Sequence, residues 1–520
     1  MRRKGAVRPN FKERLEKHSQ RLISEHESYA KWVHDENARR MRRSIRTVER
    51  VPLQIPPAWS ADPGFNPYLV RSRRAGIAHS VTKALKSGSY DPRPPFTFSV
   101  PKTGGGERQV STFQIADEVI SLQVYRSLLT KNFPLLSSRA YAYRYDRGPH
   151  DAISYISSEF TRTKRIFVAE YDFQDFFGSI SHEYLFERLK ESNMKVTPLE
   201  KHIIERFLQA PILESGAYSA TASSEPRTAG IPQGTSLSLF LANLAASELD
   251  RSLELLGVGF VRFADDTLIW SSSYEQICQA VTALYEASAL IGSAIHEDKS
   301  KGIRLLTSVP SRPAEMTTTE HVNFLGHRLD LQTIRMKDSS LDKIKKRITE
   351  LVYTNLLLEP SKGSQCSDRL TETNVDKDYV TLIFQLRRYL YGSLTESDLR
   401  RFRNGSIPKM KFDGVMSYFP LVNNSKELTQ LDGWIATTIW LAMQKRARLL
   451  KAAHLGVPDP HGLSKEELIT FKAQSPKATG GSTDLRIPSV RRISDVISLA
   501  VTTHGLQVVS SNGPLYSYEG

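Results

Sequence analysis

The sequence predicts an α+β protein, an antiparallel sheet with helices on one face, and three observations carry that prediction. Residues 165–172, RIFVAEYD, form a short run of apolar and β-favouring side chains, as a buried strand requires. Two further strands, GFVRFA (259–264) and TLIW (267–270), flank the pair Asp265–Asp266, which reads as their turn. Helical stretches separate these runs, so the order is strand, helix, hairpin, helix, strand.

The elements follow in order. Residues 1–60 read as a basic helical arm, rich in Arg and Lys, with Leu15, Leu22, Ile23, Tyr29 and Trp32 at loosely helical spacing. Such an arm is either a solvated helix or a contact to phosphate backbone. Prolines over 51–64 mark a connector. After the first strand, Ser181 is a helix N-cap with Glu183 in the first turn. Ile277, Val281 and Leu284 define one face of the helix after the hairpin, with Cys278 on its buried side. Polar pieces at 214–229, 307–320 and 359–376 read as loops. Beyond about 340 the pattern is helical, with Ile344, Ile348 and Leu351 in one stripe among Lys343, Lys345, Lys346 and Arg347. A long helix from about 432 ends in basic residues followed by Gly456 and Pro458. Ser464 and Glu467 form a capping box, and 472–489 reads as loop.

Composition narrows the function. At 520 residues the chain exceeds one ordinary core, so two to four domains are expected. A net charge of +15 favours a polyanionic partner, nucleic acid before a membrane surface. Two cysteines, Cys278 and Cys366, exclude a disulfide scaffold or a cysteine-rich zinc site and suit a reducing, cytoplasmic setting. The apolar stretch at 434–443 is too short to span a bilayer, and no apolar signal follows Arg2, Arg3 and Lys4. The 13 histidines show no metal spacing.

The chemistry concentrates in VRFADDTLIW (261–270), where two carboxylates sit between apolar strands. They are either plain turn residues or half of a metal site, because adjacent buried carboxylates need a cation to offset them. Asp172, ending the first strand, makes a third. Three such groups suit two Mg²⁺ ions and phosphoryl or nucleotidyl transfer. AGIPQGTSLSLFLANL (229–244) brings Gly230, Pro232, Gln233 and Gly234 ahead of an apolar helix, where a base or sugar can approach the backbone. FSVPKTGGGERQV (98–110) sets Lys102 and Arg108 around three glycines, a basic hairpin suited to a triphosphate. HEDKSKG (296–302) supplies Lys299, placed to protonate a leaving pyrophosphate.

In this order the segments resemble the reverse transcriptases, in the bacterial and group II intron-like branch. FVAEYDFQDFFGSI resembles the first palm motif, GIPQGTSLSLFLAN the second, and FADD the usual Tyr-Ala-Asp-Asp box with Phe263 in place of tyrosine. HEDKS and VNFLGHRLD (322–330) resemble the fourth and fifth motifs, while VPKTGGGERQV and SRAYAYRYDRGPHDAISYI (138–156) resemble two fingers motifs. The resemblance implies a right-hand polymerase with fingers, a ferredoxin-like palm and a helical thumb, plus an N-terminal arm and a C-terminal extension. Its divisions would be 1–60 arm, 61–164 fingers, 165–335 palm, 336–455 thumb and 456–520 extension.

The resemblance also implies roles. Asp172 and Asp265 would bind two Mg²⁺ ions, with Mn²⁺ as a substitute; Phe173 joins the metal set and Asp266 supports it. Lys102 and Arg108 would grip the triphosphate, Gln233 and Arg144 would lie by template or nucleotide, and Phe177 would be the steric gate against a ribose 2′-OH. Phe324, Leu325 and Gly326 would form the primer grip. Partners implied are an RNA template, dNTPs and a DNA product, with no membrane and room for a homo-oligomer. No zinc-spaced endonuclease, RNase H carboxylate set or retron element is found. The pattern is most similar to the defence-associated (antiphage) enzymes, which often work with a dedicated noncoding RNA, and the resemblance implies such an RNA as template. Alternatives are untemplated or protein-primed synthesis, the latter from Tyr516 or Tyr518, and an RNA-binding, maturase-like scaffold.

Overall fold

A computed structural model describes residues 10–101, 106–211, 213, 216, 218, 225–308, 316–371, 375–474 and 482–510. Lys102, Tyr516 and Tyr518 lie outside the described residues.

The chain opens on a long helix, α1 (Phe11–Arg43), started by a reciprocal capping box between Asn10 and Glu13. The hairpin β1 (Phe96–Pro101) and β2 (Glu107–Thr112) follows, then α2 (Ile115–Asn132) and α3 (Pro149–Phe160). The central sheet contains β3 (Arg165–Tyr171), β4 (Gly259–Phe263), β5 (Asp266–Ser271), β6 (Gly302–Thr307) and β7 (Thr318–Thr319), in the order β4-β5-β3-β6-β7. Only the β6–β7 pair is parallel. Between β3 and β4, after a single helical turn at Phe176–Ser179, run α4 (His182–Glu191), α5 (Pro198–Leu208), α6 (Ser236–Ala245) and α7 (Ser247–Leu255); α8 (Tyr274–Ile291) leads from β5 toward β6.

The sheet is covered on both faces, which corrects the expectation of helices on one. Ile166 and Val168 of β3 pack with Ile153 and Phe160 of α3 and with the helical region beyond residue 338. Ala169 and Tyr171, pointing the other way, pack with Phe240 of α6 and Leu284 of α8. The near-continuous apolar run of β3 is the signature of a strand buried twice.

A small antiparallel sheet follows, β8 (Val322–Phe324), β9 (His327–Leu329) and β10 (Ile334–Met336). The helical region contains α9 (Asp338–Val352), α10 (Lys377–Tyr391), α11 (Glu396–Arg403) and α12 (Ser425–Ala452). The helix expected from about 432 begins earlier because Asn424 caps it, accepting from the Glu427 N–H. Ser464 and Glu467 cap their helix reciprocally, as expected. The stretch 472–489 is not all loop: β11 (Lys472–Gln474) pairs with β12 (Ser482–Asp484), ahead of α13 (Val490–His504). No helix among the described residues is long and apolar enough to cross a membrane.

The arm is built into the fold. Near its start, Leu15 packs with Val70, Ile115 and Val119, and His18 contacts Glu118 at 2.9 Å. At its end Arg43 joins a buried ionic cluster in the helical region. Arg446 of α12 reaches Asp376 at 2.6 Å and Asp378 at 2.9 Å; Arg369 and Arg43 reach Asp378 at 2.8 and 3.8 Å; His461 reaches Asp376 at 2.7 Å. Burial opposes ionisation of Asp376, yet Arg446 and His461 hold its carboxyl well below the ordinary range.

Candidate active site

Tyr171 at the end of β3 pairs with Thr267 of β5, so Asp172 and Asp266 flank that pair at one end of the sheet. Phe263 pairs with Asp266, which makes Ala264–Asp265 the two-residue turn and Asp266 the first residue of its strand. Ala264 takes the left-handed conformation, φ 60°, which costs a residue with a Cβ on the order of 1–2 kcal/mol. Arg262 underpins that turn: its Nη1 donates to the Ala264 carbonyl at 3.0 Å. Arg262 is buried, with its guanidinium forked onto both oxygens of Asp250 at 2.7 and 2.6 Å and Nη1 donating to Asn243 Oδ1 at 3.2 Å. Asn243, on the largely apolar α6, thus braces the hairpin.

Asp172 is fixed from the other side. Its carbonyl accepts from the His296 N–H at 2.8 Å, and Lys299 Nζ donates to its Oδ2 at 3.0 Å. The electrostatics report one shared charge cluster. Burial raises the Asp265 carboxyl and Asp172 adds to the rise, while Arg108 and Lys299 pull it down. The surrounding protein, then Asp265 and Asp172, push Asp266 up to about 7, against Lys337 and Lys299. Arg108, exposed on β2, therefore acts on this cluster. Lys337, just after β10, is a cation of the cluster that the motifs did not mark.

Gln233 is held by its backbone: its carbonyl accepts from the Ser111 N–H of β2 at 2.7 Å. Gly234, at φ 124°, packs so closely that a Cβ would stand 2.2 Å from the Ser111 carbonyl oxygen. Gly230 is as tight, with a Cβ 2.5 Å from the Gly178 carbonyl oxygen. The Ile231 N–H donates to the Phe177 carbonyl at 2.6 Å, which joins this loop to the segment after Asp172. Phe177 is half-buried, edge-on to Tyr143 with centroids 6.5 Å apart. Tyr143 was missed from sequence. Burial and then the charge of Asp265 push its hydroxyl up to about 12, so the ring that meets Phe177 also lies in the field of the carboxylates.

Other sequence-chosen residues sit differently. The Phe173 side chain is buried in the core against Phe176, so only its main chain can serve the site. Arg144 is engaged locally: it binds both oxygens of Asp146 and the Ser137 carbonyl, and lies 4.8 Å over the Phe133 ring. Leu325 and Gly326, at φ 45° and 75°, turn the β8–β9 hairpin. The Gly326 carbonyl accepts from the Lys337 N–H at 2.9 Å, linking this hairpin to the cation beside Asp266. Phe324 is buried beneath it.

The donor chemistry fits a hard divalent cation: three carboxylates at one sheet end, two of them held up in pKa by their surroundings and neighbours. Among the described residues, however, no three His, Cys, Asp or Glu side chains are gathered so as to hold an ion. Lys299 is the near partner of Asp172.

Comparison with known proteins fits this geometry. Residues 100–329 match the family described as Reverse transcriptase (RNA-dependent DNA polymerase). The group II intron-encoded protein LtrA of Lactococcus lactis subsp. cremoris is 25% identical over 339 residues, covering 63% of this chain and 50% of that protein. Protein YkfC of Escherichia coli (strain K12) is 24% identical over 198 residues, covering 36% and 49%. The chain spans about half the length of these curated relatives. Among solved structures, telomerase from Candida albicans in complex with a telomeric RNA fragment has a TM-score of 0.36 at 13% identity, covering 75% of this chain and 66% of that one. The matched stretch runs from the basic hairpin through all three aspartates to β9, so residues 100–329 are what this chain has in common with the reverse transcriptases.

Proposed function

We propose that the protein is an RNA-directed DNA polymerase that adds dNTPs to a 3′-hydroxyl. One observation carries the reading: Asp172, Asp265 and Asp266 form a single electrostatic cluster at one sheet end, edged by Arg108, Lys299 and Lys337. Asp172 and Asp265, with the Phe173 main chain, would hold two Mg²⁺ ions, and Asp266 would support them. When bound, the metal stabilises negative charge on the attacking and leaving oxygens. The chain's own residues do the rest. Arg108 and Lys102 take the triphosphate, and Lys299 stands ready to give a proton to pyrophosphate once released from Asp172. Phe177, backed by Tyr143, blocks a ribose 2′-OH. Gln233, fixed between β2 and the Phe177 segment, faces template and nucleotide. Leu325 and Gly326 grip the primer end.

On this reading 61–164 are fingers, 165–335 palm and 336–455 thumb, flanked by the arm and the extension. The finer proposal is a cytoplasmic, defence-associated enzyme copying a dedicated noncoding RNA. What supports it is the additional structure outside the matched domain, from α1 to α13.

Purified protein with its co-purifying RNA, Mg²⁺ and labelled dNTPs tests the proposal. The expected result is a dNTP-dependent product whose sequence complements that RNA and which Asp265→Asn abolishes. A product of random or homopolymer sequence would point to untemplated synthesis. Tight RNA binding with no product under any nucleotide would overturn the polymerase reading in favour of a scaffold.

A further inference from the structure

Between α11 and α13, in residues outside the reverse transcriptase match, lies a cavity of about 400 Å³. Four arginines line it: Arg400 and Arg403 from α11, Arg486 from the segment before α13, and Arg492 from α13. Its apolar floor is Leu399 and Val496, both buried.

The charges around it do not balance. Arg492 is paired with Glu396 at 2.7 Å, and Arg486 with Asp484 at 2.6 Å. Arg400 and Arg403 have no carboxylate partner among the described residues, and both are exposed. Spaced three apart on one helix, they are neighbours on its surface. Two uncompensated guanidinium forks beside two anchored ones make a site for a doubly or multiply charged oxyanion. The recess is too basic for an apolar guest and lacks the open carboxylates a cation would need.

From this arrangement we infer that the α11–α13 cavity binds adjacent phosphate groups, taken either from a nucleic-acid backbone or from a free polyphosphate. Arg400 and Arg403 supply the binding charge. Arg486 and Arg492, held by their carboxylates, shape the recess. The site is separate from the carboxylate cluster and does not depend on the polymerase reading.

The test uses the full chain with inorganic tripolyphosphate in metal-free buffer, followed by titration calorimetry. Arg108→Gln removes triphosphate binding at the sheet end and is expected to leave this site intact. In that background, Arg400→Gln/Arg403→Gln is expected to weaken binding at least tenfold, with an unchanged melting temperature because both side chains are exposed. Arg403→Lys, which keeps the charge and loses the fork, is expected to weaken it less. A second arm measures single-stranded RNA affinity against salt. If the backbone is the source, the double variant lowers the log–log salt slope by about 1.4, the value for two phosphates on a single strand. If a free polyphosphate is the source, the RNA slope stays and only tripolyphosphate binding falls. Equal binding of both probes by the variant and its parent would overturn the inference.

Discussion

Asp265 is placed by Arg262, three residues earlier, and the two should fail differently. Removing the Asp265 carboxylate takes away function and little stability. Removing Arg262 leaves Asp250 buried without its partner, a change that costs about 3–5 kcal/mol. Arg262→Met is therefore expected to lower stability by that amount in urea titration. It should also depress turnover by loosening the Ala264 turn; unchanged stability would contradict the bracing role. Phe177→Ala opens the space beside Tyr143 and should relax discrimination between dNTPs and NTPs by about tenfold or more, read as the ratio of kcat/KM values. The three aspartates were legible in sequence because carboxylates between apolar residues need a special reason. Tyr143 and Lys337 were not, since only the fold brings them to the cluster. Arg144 looked available, yet Asp146 two residues on was the signal that it would be neutralised locally.

Among elements, the β8–β9 hairpin carries a pH dependence of its own. His327 is buried, and its Nδ1 lies 2.8 Å from the Leu325 carbonyl in the same turn. Burial, with a smaller contribution from His150, holds its pKa down at about 4. The folded state thus keeps the ring neutral, while the unfolded chain protonates it below about 6.5. Its contribution to stability is full above that pH and is lost as pH falls toward 4. The expected loss between pH 7.5 and 5 is about 2 kcal/mol. His327→Gln should flatten that part of the stability profile in denaturant titrations at the two pH values; an equally steep profile would rule His327 out as its source. Element ends were legible where one side chain decides them, as at Ser181 and Ser464. The strands β11 and β12 were not, because three residues each make no periodic pattern and their stability comes from pairing with each other. The second covered face of the sheet was also invisible locally, since α3 precedes the strand it packs on and the helical region arrives much later.

For the whole molecule, a surplus of 15 positive charges predicts RNA binding that weakens steeply with salt. Affinity measured across 50 to about 200 mM salt should fall by orders of magnitude; a flat response would mean that the basic surface is not the binding surface. The charge surplus was readable from composition, and its concentration between α11 and α13 was not, because Arg400 and Arg492 stand far apart in sequence.

The arm adds a demand of another kind. Arg43 ends a helix of 33 residues, and its buried partner Asp378 lies 335 positions further along. At ordinary translation speeds that separation is on the order of tens of seconds of synthesis. During that time α1 can seat its first turns against Val70 and Val119 but has no cluster to close upon. Its last turns therefore wait, long after they are made, for the segment that buries them, so that end of the helix becomes fixed only once residue 378 has followed.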